Sequence, residues 1–270
     1  LLAIRDLRII LTGAGSSAYI GQCLAPTLLR LTGRRVEAIA TTDLVAAPRA
    51  YLQRDAPTLL VSFARSGGSP ESVAAVDLAD QCLARCHHLV ITCNREGELY
   101  RRAQGNDSRL ALALPDLTHD QGFAMTSSFS SMYYAALAIF CGIDHYAGRV
   151  EAIASAAGNV IEQHNAALRA LAARDPARVV FLGSGALAGL AAEAALKLLE
   201  LSDGAVVTLA NTPLGFRHGP KTIVNAATLV VVFLSNDPLT RKYELDLLEE
   251  LRGDAIGAVL AVTAGTPAPA

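Results

Sequence analysis

The chain has 270 residues, 52% of them hydrophobic and 18% charged, which is enough for about two domains with sizeable cores. Its net charge of −2, without a basic run, argues against binding to nucleic acid. Five cysteines without a C-x-x-C pair indicate reduced thiols in a cytoplasmic protein. The opening LLAIRDLRII is too charged for a signal peptide, and because its first residue is Leu rather than Met, a fragment or a trimmed chain is expected.

In the first half of the chain, short apolar runs alternate with helical patterns. A strand is predicted over 7–13 and a helix over 17–31, and Pro70 and Glu71 open another helix. The other predicted strands cover 36–41, 58–64, 88–93 and 109–114. Because these runs are almost continuously apolar, they indicate a parallel sheet buried on both faces, and so a doubly wound α/β domain.

Residues 126–173 are predicted to be mostly helical, with a break near Gly148. Their most apolar part, 132–143, is shorter than the ~20 residues that a bilayer span needs. It is therefore interpreted as a buried helix, and no membrane is expected. The domain boundary is placed in this region, with a first domain over 1–147 and a second over 148–270.

The pattern then restarts, which predicts an internal duplication. RVVFLGSGALAGLAAE, 178–193, again has a strand, a glycine turn and a helix, and its glycines follow Gly13 and Gly15 at an offset of 170. Further strands are predicted over 205–210, 228–235 and 255–262. The second domain is therefore expected to stop after its fourth strand, C-terminally incomplete, in a mobile Pro/Ala tail, TAGTPAPA.

The turn ILTGAGSSAYIG has three possible roles. Its glycines and Ala18 fit the dinucleotide fingerprint G-x-G-x-x-G/A, and Asp43 after the second strand can imitate the residue that contacts a ribose. The turn can instead serve only for tight packing of strand and helix. It can also bind a smaller anion, with Ser16 and Ser17 as donors.

A second loop favours the smaller anion. SFARSGGSPES, 62–72, follows the third strand and offers Arg65, Ser66 and Ser69 around two glycines. Loops at the carboxyl ends of parallel strands line the ligand crevice, and many short donors around one point suit a phosphate monoester better than a dinucleotide. Thr126, in GFAMTSSFSSM, is a further candidate donor. Ordinary helix capping is the alternative for both stretches.

Candidate acid–base residues lie in the second half of the chain. Lys197 is four residues from Glu193 and three from Glu200 on an otherwise apolar helix. This spacing indicates either an exposed ion pair or charged groups that face a cleft. His218 lies in the Gly/Pro loop NTPLGFRHGPKT, close to a helix start, and is the best candidate acid–base among the six histidines.

A metal site is not predicted. Cys82, Cys86, His87 and His88 are close in sequence, as metal ligands often are. They span the passage from a helix into a strand, so their side chains are expected to diverge.

Taken together, these stretches resemble the SIS (sugar isomerase) family of phosphosugar-binding domains. TGAGSSAY resembles the first SIS loop, and ARSGGSPES resembles the phosphate loop S-x-S-G-x-[ST]-x-[DE]-[ST], with Ala64 in place of its first Ser. The stretches 197–200 and 217–220 match the K-x-x-E and K-H-G-P motifs of the isomerase half of glucosamine-6-phosphate synthase, with Arg217 in place of a Lys. TPLGFRHGPK and AMTSSFSSM are most similar to the AgaS subgroup of tagatose-6-phosphate ketose/aldose isomerases, also described as galactosamine-6-phosphate deaminase/isomerases.

The resemblance implies two tandem SIS domains and a phosphosugar aldose–ketose isomerase that also deaminates an amino sugar phosphate. Galactosamine-6-phosphate is the expected substrate, and tagatose-6-phosphate and ammonia are the expected products. Glu200 is then the base that moves a proton between C1 and C2, and His218 is the group that opens the ring. Lys197 either orients Glu200 or stabilises the developing oxyanion charge. The residues expected at the sugar phosphate are Ser16, Ser17, Arg65, Ser66, Ser69 and Thr126.

The resemblance also implies no metal or redox cofactor, and a homodimer with shared active sites, because the His loop crosses to the neighbouring subunit in the family. Two alternatives stay open. One is a non-catalytic SIS module that senses a phosphosugar. The other is a nucleotide-binding oxidoreductase, which would leave the Ser-rich loop without a clear use.

Overall fold

The computed structural model describes residues 1–254 and 257–264. The chain folds into two compact units, each of which makes most of its contacts within itself. The first is Leu1–Cys141, and the second begins at Gly142. Each unit contains one parallel sheet flanked by helices, which confirms the predicted α/β class and its tandem arrangement. The domain boundary placed after residue 147 stays a prediction.

Five parallel strands form the sheet of the first unit. They are β1 (Arg8–Thr12), β2 (Arg35–Ala38), β3 (Thr58–Ala64), β4 (Cys86–Thr92) and β5 (Arg109–Ala113), in the order β2-β1-β3-β4-β5. Every residue of the adjacent strands β1 and β3 is buried, as expected for strands covered by helices on both faces. Each fully buried Leu or Ile of these strands contributes about 1.5–3 kcal/mol to the free energy of unfolding.

The helices of the first unit follow the carboxyl ends of the strands. They are α1 (Ser16–Thr32), α2 (Thr41–Ala46), α3 (Pro48–Tyr51), α4 (Pro70–Cys82), α5 (Glu98–Ala103) and α6 (Ser127–Cys141), with a short 3-10 turn at Asp116–Thr118. The apolar segment predicted to be a buried helix lies largely in α6, which buries Met132, Ala135 and Ala136.

The second unit repeats this plan with four strands. They are β6 (Arg178–Leu182), β7 (Val207–Asn211), β8 (Thr228–Leu234) and β9 (Ala258–Thr263), in the order β7-β6-β8-β9. This order equals that of the first four strands of the first sheet, as an internal duplication requires. Its helices are α7 (Ile143–Ala147), α8 (Val150–Gln163), α9 (Asn165–Ala172), α10 (Ala186–Leu201), α11 (Pro213–Arg217) and α12 (Pro238–Asp254), with a 3-10 turn at Pro220–Ile223.

Two expectations concern the end of the chain. The strand predicted over 255–262 is observed from Ala258 to Thr263, and its predicted first residues, 255 and 256, lie outside the described residues. Most of the predicted Pro/Ala tail, 265–270, also lies outside them. Among the helices that the structure describes, none is both long enough and apolar enough to cross a membrane. All five cysteines are free thiols.

Candidate active site

The first unit has a ligand crevice where its strand order reverses. Strands β1 and β3 are neighbours, with Thr12 beside Ser62 at their carboxyl ends. In open α/β sheets, ligands bind outside the carboxyl ends of the strands at such a point. The two loops that the sequence predicted to bind phosphate, one after β1 and one after β3, both begin there.

The loop after β1 opens α1 without a side-chain cap. Gly15 precedes the helix with φ 55°, and no side chain accepts a hydrogen bond from the first turn. The N–H groups of Ser17 and Ala18 donate to the carbonyls of Ala14 and Gly15 at 3.1 and 2.9 Å. A helix start without a side-chain cap attracts an anion through its N–H groups and its dipole. Ser16 and Ser17 lie in this turn and are buried, and Ser17 Oγ is 3.8 Å from Met125 Sδ.

The backbone of the loop after β3 is fixed by a hydrogen bond and by a close contact with the loop after β4. Asn94 Nδ2 donates to the Ser66 carbonyl at 2.9 Å, and a side chain at Gly97 would lie 2.6 Å from the same oxygen. Ser69 caps α4, because its Oγ accepts from the Ser72 N–H at 3.3 Å and donates to Ser72 Oγ at 2.7 Å. The capping alternative therefore describes Ser69, whereas Ser66 is exposed and presents its side chain to solvent.

Arg65 and Thr126 both bind protein groups in the structure. Arg65 Nη1 donates to the carbonyls of Gly122 and Phe123 at 3.2 and 3.4 Å. Thr126 Oγ1 donates to Asp120 Oδ1 at 2.7 Å. Asp120 and Asn94 are site residues that the sequence analysis missed. Asp120 lies six residues before Thr126, outside the position where a helix cap is ordinarily sought.

In the second unit, Lys197 lies between two carboxylates of α10. Its Nζ contacts Glu200 Oε2 and is 3.8 Å from Glu193 Oε1. The side chains are 19%, 21% and 7% exposed for Lys197, Glu200 and Glu193, so this is not the solvated ion pair of the alternative interpretation. A partly buried carboxylate held by an ammonium is well placed to move a proton at carbon.

His218 is exposed in a loop that is fixed on both sides. Phe216 is fully buried in the core, and Arg217 Nε lies 2.8 Å from Glu250 Oε2 of α12. Lys221 also contacts Glu250, and its hydrogen bond holds the pKa of that carboxyl below its usual value. The imidazole is thus presented to solvent by an anchored backbone, as a group that exchanges protons with a substrate needs.

The structure brings together a candidate metal cluster of Asp80, Cys86 and His88, which differs from the Cys and His set considered in the sequence. Cys86 and His88 share a face of β4, because they are two residues apart, and their ligand atoms lie within 4.8 Å of Asp80. The expectation that these side chains diverge is therefore wrong for this pair. Arg109 also contacts Asp80, so a cation already neutralises the carboxylate. The absence of a metal site stays a prediction.

Comparison with known proteins gives the family of the chain. Residues 2–141 match the SIS domain family. The chain is 54% identical over 267 residues to a Streptomyces coelicolor protein that carries the name of the D-galactosamine-6-phosphate deaminase AgaS, with 98% of this chain and 69% of the relative covered. It is 49% identical over 261 residues to the D-galactosamine-6-phosphate deaminase AgaS of Escherichia coli, with 94% and 66% covered.

A solved structure gives the same result for the fold. The crystal structure of tagatose-6-phosphate ketose/aldose isomerase from Escherichia coli matches with a TM-score of 0.90 and 48% identity, over 99% of this chain and 73% of that one. The chain thus spans about two thirds of the length of the curated relatives, 69% and 66% of the two named above. On the match to residues 2–141 and on 54% identity over nearly its whole length, the chain belongs to the SIS domain family.

Proposed function

We propose that this chain is a sugar-phosphate aldose–ketose isomerase that deaminates galactosamine-6-phosphate to tagatose-6-phosphate and ammonia. The observation that carries the proposal is the partly buried Lys197–Glu200 pair. It occurs in a chain about half identical to proteins that bear the name of this deaminase. The loops after β1 and β3, where the side chain of Ser66 is exposed, supply the phosphate site that such a substrate needs.

Each proposed role corresponds to one step of the reaction. His218 transfers the proton that opens the sugar ring. Glu200 then removes the proton from C2 and returns it to C1, which converts the amino aldehyde through an enolamine into an imine at C2. Water adds to this imine, and ammonia leaves to give the ketose phosphate. Lys197 holds Glu200 in position and stabilises the negative charge that develops on the substrate oxygen.

The experiment that tests the proposal uses Glu200→Gln. We expect kcat for ammonia release from galactosamine-6-phosphate to fall by about 10²–10⁴-fold, since a general base contributes this much, while substrate affinity changes little. Glu249→Gln, at an exposed position of α12, is the matched control and should leave kcat unchanged. Normal turnover by Glu200→Gln would refute the assignment of the base. Binding of the sugar phosphate without turnover by the wild type would instead indicate a sensor.

Three further statements belong to this proposal. The reaction needs no metal or redox cofactor, because proton transfer and hydrolysis suffice. The protein acts in the cytoplasm. It also acts as a homodimer with shared active sites, and the apolar surface of α8 supports a second copy, since Ile153 and Ile161 are 61% and 69% exposed there.

A further inference from the structure

The carboxylate of Asp120 lies at the start of α6 and accepts five hydrogen bonds. Three come from backbone N–H groups, those of Thr126 at 2.8 Å and of Ser127 and Ser128 at 3.0 Å each. Two come from hydroxyls, from Thr126 Oγ1 at 2.7 Å and from Ser128 Oγ. Both carboxylate oxygens are thus used, and the first N–H groups of α6 are satisfied.

The carboxylate of Asp120 is an anion of the chain itself that lies at the N-terminus of α6. Burial alone would raise the pKa of Asp120, but the hydrogen bonds from Ser128 and Thr126 outweigh it and hold the pKa far below its usual value. Asp120 therefore stays ionised at any pH at which the protein works, and it compensates the positive end of a 15-residue helix. The N–H groups of Thr126, Ser127 and Ser128 are thus taken by Asp120 and are not offered to a substrate phosphate, whereas α1 begins without a side-chain cap.

The segment between Asp120 and Thr126 touches both phosphate loops. Its carbonyls at Gly122 and Phe123 accept from Arg65 Nη1 at 3.2 and 3.4 Å, in the loop after β3. Its Met125 Sδ lies 3.8 Å from Ser17 Oγ, in the loop after β1. Residues 121–125 thus form a bridge that connects the two phosphate loops, and Asp120 holds the end of this bridge at α6.

We propose that Asp120 is a positioning residue, which holds residues 121–125 against Ser17 and Arg65 so that the two loops keep the shape that binds the substrate phosphate. In this assignment Arg65 and Thr126 act through the bridge, and the phosphate contacts come from Ser66 and from the N–H groups of the loops. This inference deepens the proposed function and rests on it.

The test is Asp120→Asn, which keeps the size of the side chain but replaces an acceptor oxygen by an amide that faces N–H donors. We expect KM for galactosamine-6-phosphate to rise about 10- to 100-fold, the loss that follows when a charged hydrogen-bond partner is removed, with kcat within about threefold. Asp116→Asn, the same change at an exposed site four residues earlier, should leave both parameters unchanged. An unchanged KM in Asp120→Asn would overturn the proposal. A fall in kcat as large as the rise in KM would also overturn it.

Two further variants separate positioning from a general loss of folding. Asp120→Ala leaves space for a small carboxylate, so added formate should lower its KM towards the wild-type value. Arg65→Gln releases the other attachment of the bridge, so its effect on KM should be less than multiplicative with that of Asp120→Asn. Failure of formate to rescue, or fully multiplicative effects, would refute the common bridge.

A readout without turnover distinguishes this proposal from the proposed function. Inorganic phosphate should raise the Tm of the wild type more than that of Asp120→Asn, whatever reaction the protein catalyses. If the wild type releases no ammonia but this difference in Tm is present, the proposed function fails and Asp120 remains a positioning residue. If phosphate shifts both Tm values equally, the role of Asp120 is refuted.

Discussion

Among single residues, His88 shows how burial decides a protonation state. Its side chain is almost fully buried, and its Nε2 lies 2.7 Å from Asp80 Oδ1. Burial lowers the pKa of His88 and outweighs the hydrogen bond and charge of Asp80, which raise it. Arg109 also contacts Asp80, so a cation already compensates the carboxylate. The charges of Arg109 and His87 lower the pKa of His88 further. A neutral ring that donates from Nε2 fits this setting.

This protonation state predicts how stability depends on pH. The unfolded chain binds a proton at His88 near pH ~6.5, whereas the folded chain does not until the pH is lower. The free energy of unfolding therefore decreases as the pH falls below about 6.5, by at most ~1.4 kcal/mol per pH unit for this one group. Replacing His88 by Gln should make the loss between pH 7 and pH 5 smaller, by no more than the ~1.4 kcal/mol per pH unit that one proton allows, measured by urea unfolding at each pH. His87→Gln on the opposite face is the control, and equal slopes for wild type and His88→Gln would contradict the assignment.

The strand–helix turns are the elements that the duplication repeats most closely. Gly15 and Gly185 precede α1 and α10 with φ values of 55° and 57°. Gly13 and Gly183 allow the helices to approach the strands closely. A methyl group on Gly183 would lie 2.3 Å from the Leu187 carbonyl oxygen, inside the backbone of α10. The glycine pattern is thus required by packing in both units, whether or not the turn binds an anion.

A pair of identical substitutions tests this requirement. Gly183→Ala should lower the free energy of unfolding by about 1–3 kcal/mol, because α10 must move to accommodate the methyl group. Gly158→Ala in the interior of α8 meets no atom within 4 Å and should raise the free energy of unfolding by about 0.5–1 kcal/mol, because it favours the helix. Both changes in the free energy of unfolding can be measured by chemical denaturation. A stable Gly183→Ala variant would show that the close approach is not needed.

The elements also show what could be predicted from the sequence. Apolar runs predicted all nine described strands. For β1 and β3 the run reflects burial on both faces, because every residue of these two strands is buried. The contacts of Asp120 could not be predicted, because they depend on the path of a loop and not on a periodic pattern. The cluster of Asp80 with His88 likewise depends on how α4 packs on β4. Local patterns therefore identified the strands, the helices that follow the glycine turns and the candidate loops. They did not predict α5 and α12, and the partners of Arg65 and Thr126 also required the structure.

For the whole molecule, the two units share a topology but differ in their functional side chains. The first carries the Ser-rich loops, and the second carries Glu200 and His218. The proposed homodimer with shared sites requires that Glu200 of one copy act with His218 of the other. This requirement makes the arrangement testable without any measurement of the site geometry.

Mixing of inactive variants provides the test. Glu200→Gln and His218→Ala should each lose about 10²–10⁴-fold in kcat when tested alone. Random reassociation of equal amounts should restore about a quarter of the wild-type kcat, because half of the dimers are mixed and one of their two sites is intact. Glu200→Gln mixed with Lys197→Met is the matched control and should stay inactive, since both changes lie on α10 and every site then has one altered helix. If differently tagged subunits copurify but the first mixture stays inactive, Glu200 and His218 act within one chain, and the shared site is refuted.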